Sequence, residues 1–364
     1  MIRIASIIEE FGDDFLKAYQ GRILPSQLNA LNALKRCRTQ HSAMMRVACS
    51  DCDHQVLVPH SCGHRHCPHC QHHESQQWIE NQVKKQLPAQ YFMITFTLPS
   101  EFRPIAWLYQ KAVYNLLLQC SWETLRQFSL TDKKLNGTPG VIAVLHTHTR
   151  ALDYHPHSHM IMPDAAIDKA NGLWRKKGAK YLFNQDALAK VFRAKMLAGL
   201  VKLGLELPQK YPREWVAHCK AVGSGDKAII YLGRYLYRGV IQEKDILSCE
   251  NGKVVFRYID SDSGKTRKRE VSAVKFLWLV LRHVLPRGFR RARNYGFLHP
   301  NSKTLIKLIQ LLLKFDPKQW LPKQKPRAQV RCECCGGLMT IIATRIKTIV
   351  KPIDPIPIQA VLAF

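Results

Sequence analysis

The sequence predicts an α+β protein, in which an antiparallel sheet covered by helices follows a small domain rich in cysteine and histidine. Segments of β-branched and aromatic residues predict the strands of the sheet, at 91–99, 140–148 and 154–163. Apolar residues at helical spacing predict long helices at 104–128 and 185–203. Between Cys37 and His73 neither pattern occurs, which is typical of a small domain whose core is replaced by bound metal.

The remaining elements follow in a simple order along the chain. Two amphipathic helices at 2–20 and 24–34 precede the cysteine-rich part, and a third at 76–87 ends before a proline. After the three strands we expect a strand at 214–222, a helix at 226–238 and a hairpin at 254–271.

The charge composition of the chain indicates the chemical class of its binding partner. There are 55 Lys and Arg against 27 Asp and Glu, a formal charge of +28, which favours a polyanionic partner over a merely solvated basic surface or an anionic membrane. No apolar run reaches the ~18 residues of a membrane span, and the N-terminus becomes acidic too early for a signal peptide. We therefore expect a cytoplasmic protein whose 12 cysteines are thiols or metal ligands.

Two C-x2-C knuckles separated by 14 residues predict a four-cysteine zinc site, with Cys49, Cys52, Cys67 and Cys70 as ligands. Four residues left in the same window could form a second, mixed site: Cys37, His41, Cys62 and His66. His54, His60 and His64 compete for that role, and each spare histidine could equally be a solvated loop residue. A further knuckle at Cys332 and Cys335 is either half of a site completed elsewhere or a remnant.

Histidines alternate along two neighbouring predicted strands. His155, His157 and His159 could share one face of the second strand, and His146 and His148 one face of the first. In a hairpin whose paired residue numbers sum to about 305, His146 lies opposite His159 and His148 opposite His157. This pattern favours a metal site over five coincidental core histidines, with His157 and His159 as its main ligands. His155 precedes a proline and is expected at the strand edge.

Two tyrosines at helical spacing form another candidate constellation. Tyr231 and Tyr235 project from one face of the predicted helix, flanked by Arg234 and Arg238. A phenol is a weak nucleophile at its usual pKa of about 10, and a nearby cation favours its phenolate form. Taken alone, the pair could be two core aromatics on an amphipathic helix.

The order of these motifs resembles the HUH endonuclease superfamily, and within it the rolling-circle insertion-sequence transposases of the IS-ninety-one type. The resemblance covers about residues 35–340. It rests on these stretches: CRT (37–39), CGHRHCPHC (62–70), YFMITFTLP (91–99), AVLHT (143–147), YHPHSHMIMP (154–163), YLGRYLYR (231–238), HVLPRGFRRARNYGFL (283–298) and CCGG (334–337).

The resemblance implies a HUH-nuclease-like sheet and a transposase that nicks and joins single-stranded DNA ends of its own element. His157 and His159, with a third ligand, would hold Mg²⁺ or Mn²⁺, while the cysteines hold structural Zn²⁺. Tyr235 or Tyr231 would attack the scissile phosphate, leaving a 5′-phosphotyrosine and a free 3′-hydroxyl. It also implies a bacterial cytoplasmic protein that associates with the nucleoid when bound to DNA.

The same resemblance implies that the zinc module and a basic stretch at 287–297 bind DNA. Phosphate contacts would come from Arg234, Arg238, Arg287, Arg290, Arg291 and Arg293, and bases would stack on Tyr295 and Phe297. For any one of these residues, a buried helix with a solvated basic face is the alternative interpretation.

The chain departs from the family pattern at several positions. Ser158 replaces the usual hydrophobic residue, Met93 a histidine, and DAAID (164–168) a glycine-rich turn. Arg150 replaces a glutamine, and since arginine cannot ligate a cation, the third ligand would be His148 or His146. Rival interpretations are a non-catalytic zinc-dependent DNA-binding protein, a decayed transposase and a zinc hydrolase.

Together these features give five expected parts. They are N-terminal helices at 1–36, a zinc-binding domain at 37–75, a catalytic domain at 88–245, a basic DNA-binding region at 246–330 and a tail with a knuckle at 331–364.

Overall fold

The computed structural model describes residues 2–168, 170–178, 180–237, 240–260, 263–321 and 330–347. The chain divides into two compact units. One, which we call the cysteine unit, is made from Met1–His73, Tyr237–Val284 and Pro322–Phe364, and the other, the sheet unit, from Glu74–Leu236 and Leu285–Leu321. The predicted basic region at 246–330 includes residues of both units.

The helices and strands have these bounds in the described residues. The helices are α1 (Ile4–Ala18), α2 (Pro25–Arg36), α3 (His72–Val83), α4 (Arg103–Leu108), α5 (Gln110–Thr131), α6 (Gln185–Lys202), α7 (Asp226–Tyr237), α8 (Ala273–Leu281) and α9 (Lys303–Leu312). The strands are β1 (Met44–Cys49), β2 (Gln55–Pro59), β3 (Tyr91–Thr97), β4 (Thr138–His148), β5 (Tyr154–Pro163), β6 (Ala165–Asp168), β7 (Leu173–Lys176), β8 (Ala217–Ala221), β9 (Ile246–Glu250), β10 (Lys253–Ile259), β11 (Thr266–Ser272), β12 (Ala292–Gly296) and β13 (Met339–Ile346).

The sheet unit is built on one antiparallel sheet, which confirms the predicted fold class. Its strand order is β7-β6-β4-β5-β3-β8, and β12 pairs with the stretch of β4 from Gly140 to Val144. The histidine-bearing strands β4 and β5 are therefore central. A central strand has hydrogen-bonded neighbours on both edges, so the positions of its side chains are closely fixed.

Side chains alternate between the two faces of this sheet. On one face, Leu145 of β4, Phe96 of β3 and Met160 of β5 join a buried core with α5 and α6. In that core the rings of Phe96 and Phe192 lie 4.7 Å apart. Because neighbours along a strand point to opposite faces, the histidines of β5 lie on the face away from this core.

The long helix expected at 104–128 is two helices. At Tyr109, between α4 and α5, the backbone has φ −113° and ψ 44°, which is outside helical geometry. The apolar periodicity continues across this residue, so the sequence pattern alone does not reveal the break. No helix in the described part of the chain is long and apolar enough to cross a bilayer.

The cysteine unit contains two small sheets and a helical core. In one sheet β1 lies between β2 and β13, and in the other β10 lies between β9 and β11. The helices α1, α2 and α8 pack through buried apolar residues such as Phe15 and Leu31, and Tyr19 stacks on Trp278 with ring centroids 4.3 Å apart. The stretch at 37–73, where no periodicity was found, thus contains the short strands β1 and β2.

Candidate active site

Three histidines meet on the open face of the sheet unit. The ring nitrogens of His146, His157 and His159 that could bind metal all lie within 4.8 Å of one another. His157 is paired with His146 across the β4–β5 ladder, and His159 is paired with Val144. The expected register, with His146 opposite His159 and His148 opposite His157, is therefore wrong by two residues.

His148 is not part of this group. The β4–β5 ladder has an irregularity between His146 and His148, after which His148 pairs with Tyr154. The His148 ring is buried, and its Nδ1 lies 3.0 Å from the Thr147 hydroxyl. A bulge of this kind reverses the alternation of side chains, so His148 is corrected from metal-ligand candidate to buried strand residue.

Hydrogen bonds orient the rings of the other two histidines. The Nδ1–H of His157 donates to the carbonyl oxygen of His155 at 2.6 Å, and Nδ1 of His159 lies 3.0 Å from the Thr95 hydroxyl. With Nδ1 occupied, Nε2 is the nitrogen that faces the cluster. This is the usual arrangement around a metal-binding histidine, in which the other ring nitrogen is held by a hydrogen bond.

Both of these histidines are neutral at physiological pH. Burial and the neighbouring His159 hold the pKa of His157 well below its usual value. Burial alone lowers the pKa of His159 to about 4. Since only the unprotonated imidazole nitrogen binds a cation, the rings of His157 and His159 fit a divalent metal ion without further proton loss.

His155 lies beside this group. It is the second residue of β5, and its Nδ1 lies 2.7 Å from a terminal guanidinium nitrogen of Arg103. Burial and the charge of Arg103 lower the pKa of its imidazole. Arg150, at the position where the family usually has a glutamine, is exposed in the turn after β4.

The two tyrosines of α7 lie close to the histidine cluster. The Tyr235 ring stacks on His146 with centroids 3.4 Å apart and an interplanar angle of 21°, whereas the Tyr231 ring is 6.4 Å from His146. The Tyr235 hydroxyl is buried, and burial raises its pKa. Tyr231 is 41% exposed and lines a cavity of about 530 Å³ together with Met93.

Arg291 belongs to this site and not to a DNA-facing surface. Its side chain is 8% exposed, its Nε–H donates to the carbonyl oxygen of Leu145 at 2.9 Å, and its guanidinium lies 4.5 Å from the centre of the Tyr235 ring. The predicted phosphate contact is therefore corrected to a buried cation next to Tyr235. The pairing of β12 with β4, which places Arg291 here, joins segments too distant in sequence to be predicted.

The other arginines that were expected to contact DNA differ in their exposure. Arg234, Arg287 and Arg290 are exposed, whereas Arg238 lies outside the described residues. Arg293 is half-buried and hydrogen-bonds Asn115.

The two aromatic residues of the basic stretch are already packed against the protein. Tyr295 stacks on Trp122, with ring centroids 5.2 Å apart. Phe297 is 2% exposed and packs against Gly140, where a Cβ would collide with its ring. Phe297 cannot stack on a base, so that expectation is wrong. Trp122 covers one face of the Tyr295 ring, and stacking of a base on Tyr295 stays a prediction.

The cysteine unit contains two groups of four thiols, and their membership differs from the expected one. Cys67 and Cys70 lie with Cys37 and Cys62, whereas Cys49 and Cys52 lie with the distant Cys332 and Cys335. The single site of Cys49, Cys52, Cys67 and Cys70 is thus a wrong grouping. His41 and His66, expected in a mixed second site, belong to neither of these groups, and the ring of His66 packs edge-on against His283.

The first group has the shape of a tetrahedral zinc site. Sγ of Cys37 lies 3.5 Å from Sγ of Cys67 and 3.3 Å from that of Cys70, and Sγ of Cys62 lies 3.9 Å from that of Cys70. Four thiolates at about 2.3 Å from Zn²⁺ would lie about 3.8 Å from one another. The observed separations therefore fit a tetrathiolate zinc ion.

Two family models match the chain. One, described as a transposase zinc-binding domain, matches residues 7–98, and the other, described as a "putative transposase", matches residues 140–304. The first match contains all four thiols of Cys37, Cys62, Cys67 and Cys70. The second contains the three histidines and both tyrosines of α7.

Two curated proteins are similar over most of their length. The "putative transposase y4qJ" of Sinorhizobium fredii is 31% identical over 318 residues, which cover 81% of this chain and 80% of that protein. The transposase for insertion sequence element IS801 of Pseudomonas savastanoi pv. phaseolicola is 24% identical over 358 residues, covering 89% of this chain and 85% of that protein. Among solved structures, the metal-bound conjugative relaxase TrwC in complex with oriT DNA aligns over 63% of this chain and 73% of that chain, with 16% identity and a TM-score of 0.28.

Proposed function

The chain belongs to the family of insertion-sequence transposases, and on that premise we propose that it nicks and joins single-stranded DNA through a tyrosine nucleophile. The observation that carries the proposal is the meeting of two groups in one unit. Three histidines converge on the open face of the sheet, and two tyrosines of α7 lie close to one of them. Binding DNA without cutting it would need neither group.

His146, His157 and His159 would hold the divalent metal, Mg²⁺ or Mn²⁺. When bound, such an ion neutralises charge on the scissile phosphate and polarises its oxygens. An all-nitrogen ligand set favours Mn²⁺ over the harder Mg²⁺, which prefers oxygen ligands. Thr95 and the His155 carbonyl hold two of the rings in place, so the site is formed before substrate arrives.

We assign the first strand transfer to Tyr231. Its phenol is exposed, and its ring is close to the histidine cluster, whereas the hydroxyl of Tyr235 is enclosed by protein. The phenolic oxygen attacks the scissile phosphorus, and the bond from phosphorus to the 3′ oxygen breaks. Tyr231 loses its proton to solvent, and the leaving 3′ oxygen takes up a proton. The products are a 5′-phosphotyrosine and a free 3′-hydroxyl.

Tyr235 would perform the second transfer. Its hydroxyl stays protonated because burial raises its pKa, so it does not compete in the first attack. The Arg291 guanidinium over its ring opposes that effect and would stabilise the phenolate when the ring leaves His146. A phosphotyrosine bond conserves the energy of the broken phosphodiester, so a second phenol allows joining without ATP.

Exposed arginines support a polyanionic substrate. Arg234 lies on α7 between the two tyrosines, and Arg287 and Arg290 precede β12. With a net charge of +28, these residues would bind the phosphates of single-stranded DNA. The protein would act in the bacterial cytoplasm, at the nucleoid when bound to DNA.

The test is a covalent adduct assay with a single-stranded oligonucleotide of the element end and Mn²⁺. We expect a protein–DNA adduct whose mapped peptide contains Tyr231. Tyr231→Phe should reduce the adduct at least 10³-fold. Tyr235→Phe should preserve the adduct but abolish joining to a second strand. Tyr237→Phe, on the same helix, is the control and should retain both reactions.

The rival functions predict other products. A DNA-binding protein without catalysis would bind the oligonucleotide and form no adduct. A zinc hydrolase would use water as its nucleophile and would nick the strand without forming an adduct. If Tyr231→Phe forms the adduct as fast as the wild type, the assignment of the first nucleophile is wrong.

A further inference from the structure

The C-terminal knuckle lies against the N-terminal hairpin of the cysteine unit. β13 pairs with β1, so that Cys49 lies opposite Met339, and the amide of Ser50 donates to the carbonyl oxygen of Leu338 at 2.9 Å. These bonds bring the turn after β1 to the turn that precedes β13. Each turn carries a C-x2-C pair.

The four thiols of these turns converge on one point. Sγ of Cys49 lies 3.4 Å from that of Cys335, and Sγ of Cys52 lies 3.7 Å from that of Cys332 and 3.6 Å from that of Cys335. These separations are close to the ~3.8 Å edge of a zinc tetrathiolate and far from the ~2.05 Å of a disulfide. Sulfhydryl hydrogen bonds are weak, so they alone give the four thiols little reason to pack together.

The backbone around the thiols is shaped for a knuckle. The amide of Asp51 donates to Sγ of Cys49 at 3.4 Å, and the amide of Gly336 donates to the carbonyl oxygen of Cys332 at 2.9 Å. Gly336 has φ +72°, in the left-handed region that favours glycine, and a Cβ at Gly337 would collide with the carboxylate of Asp51. The two glycines thus let the turns approach closely enough for four thiols to share an ion.

We propose that Cys49, Cys52, Cys332 and Cys335 bind a second Zn²⁺ ion, separate from that of Cys37, Cys62, Cys67 and Cys70. Two of its ligands lie beyond both regions matched by the transposase families, which end at residues 98 and 304. Soft thiolates in tetrahedral arrangement select zinc over harder cations. Cys49 and Cys335 are 286 residues apart in sequence, so this ion fixes β13 to the N-terminal hairpin.

A competing ligand set exists at the same place. His54, Cys332 and Cys334 also lie within 4.8 Å of one another. This competing set supplies three ligands and would leave Cys49, Cys52 and Cys335 unused. The four-thiol set completes a tetrahedron by itself, which is why it carries the proposal.

Thiol footprinting of the full wild-type chain tests the proposal without any substitution. Cys334 and Cys335 are adjacent and both exposed, so without metal they should react alike with N-ethylmaleimide. With zinc bound we expect Cys335 to react at least tenfold more slowly than Cys334, and chelation should bring these two rates within threefold. If Cys335 reacts as fast as Cys334 before chelation, or if Cys334 is the protected thiol, the proposal is wrong.

Metal analysis of purified chains gives the second measurement. We expect two zinc ions per wild-type chain, one for the double variant Cys332→Ser with Cys335→Ser, and two for the matched control Cys334→Ser. One zinc per wild-type chain, or iron in place of the second zinc, would overturn the proposal.

Discussion

The histidine cluster and the thiol groups are both sets of metal-ligand side chains, but they are assembled differently. His146, His157 and His159 lie on adjacent paired strands, at the centre of a sheet whose other face is a closed apolar core. The thiols lie on or beside turns, and the most distant members of a group are 33 residues apart in the first group and 286 in the second. The histidines are positioned by a central strand ladder backed by a buried core, whereas the turns that carry the thiols belong to short strands with little apolar core behind them.

This difference predicts what a bound metal would do at each place. Residues of the sheet stay folded through burial, so a cation at the histidines would contribute chemistry and little stability. The short strand β2 has largely exposed or half-buried side chains, so a cation at the thiols must replace the missing apolar core. Removing ligands should therefore unfold one region and only inactivate the other.

The largest expected effect is at the first thiol group. Replacing Cys37 and Cys70 together by serine should release that zinc and lose on the order of 10 kcal/mol of apparent binding energy, which is folding energy for such sites. Hydrogen exchange followed by mass spectrometry should show residues 37–73 losing protection while 140–163 keep theirs. Replacing His157 and His159 by alanine should leave exchange in both regions unchanged.

The half-buried Cys249 of β9 provides the control, because it lies in neither thiol group. Cys249→Ser should exchange like the wild type. If residues 37–73 stay protected without Cys37 and Cys70, the region folds by its own packing and the contrast with the sheet is false.

The sequence predicts the sheet well because its signals are local. Composition identifies β3, β4 and β5, and alternation correctly places His157 and His159 on one face. The register failed because the turn between the strands lies elsewhere than predicted: paired residue numbers sum to 302 at His148 and Tyr154 and to 303 at His146 and His157, not to about 305. The irregularity between His146 and His148 turns the His148 side chain away from the cluster, which leaves His146 as the candidate third ligand.

The thiol groups could not be predicted from local signals. Spacing identifies C-x2-C pairs, but it cannot say which pairs share an ion, because that depends on how distant strands meet. The pairing of β1 with β13 moves Cys49 and Cys52 away from Cys67 and Cys70. Thr95 was missed for a related reason, since its role depends on the β3–β5 register that sets it opposite His159.

The next largest effect is a loss of Mn²⁺ affinity, which distinguishes His146 from His148 as the third ligand. His146→Ala removes one of three converging nitrogens and should weaken Mn²⁺ binding at least 100-fold, measured by calorimetric titration. His148→Ala is the matched change two residues away. It should destabilise the sheet by about 1–3 kcal/mol, as is usual for a buried side chain, and leave Mn²⁺ affinity within threefold. Equal loss of affinity in the two variants would contradict the observed register.

The smallest expected effect is a loss of stability on replacing Ser158. This residue lies between His157 and His159 in the sequence, but its side chain faces α5. Its hydroxyl lies 2.7 Å from that of Ser121 on α5, and the Ser121 hydroxyl also donates to the carbonyl oxygen of Leu117. Ser158→Ala should cost about 1 kcal/mol, read from exchange of the β5 amides, since it removes one buried hydrogen bond.

A polar pair across the interface explains why a serine is accepted here where the family usually has a hydrophobic residue. Changing Ser121 as well should recover none of that loss, because the Ser121 hydroxyl keeps its hydrogen bond to the carbonyl oxygen of Leu117 when Ser158 alone is replaced. Mn²⁺ affinity should not change in either variant, since this side chain points away from His157 and His159 into the core of the sheet unit. A change of more than threefold in Mn²⁺ affinity would mean that packing on one face of β5 affects metal binding on the other face. The metal site would then depend on core packing as well as on the strand ladder, and the contrast with the thiol groups would be weaker than the geometry indicates.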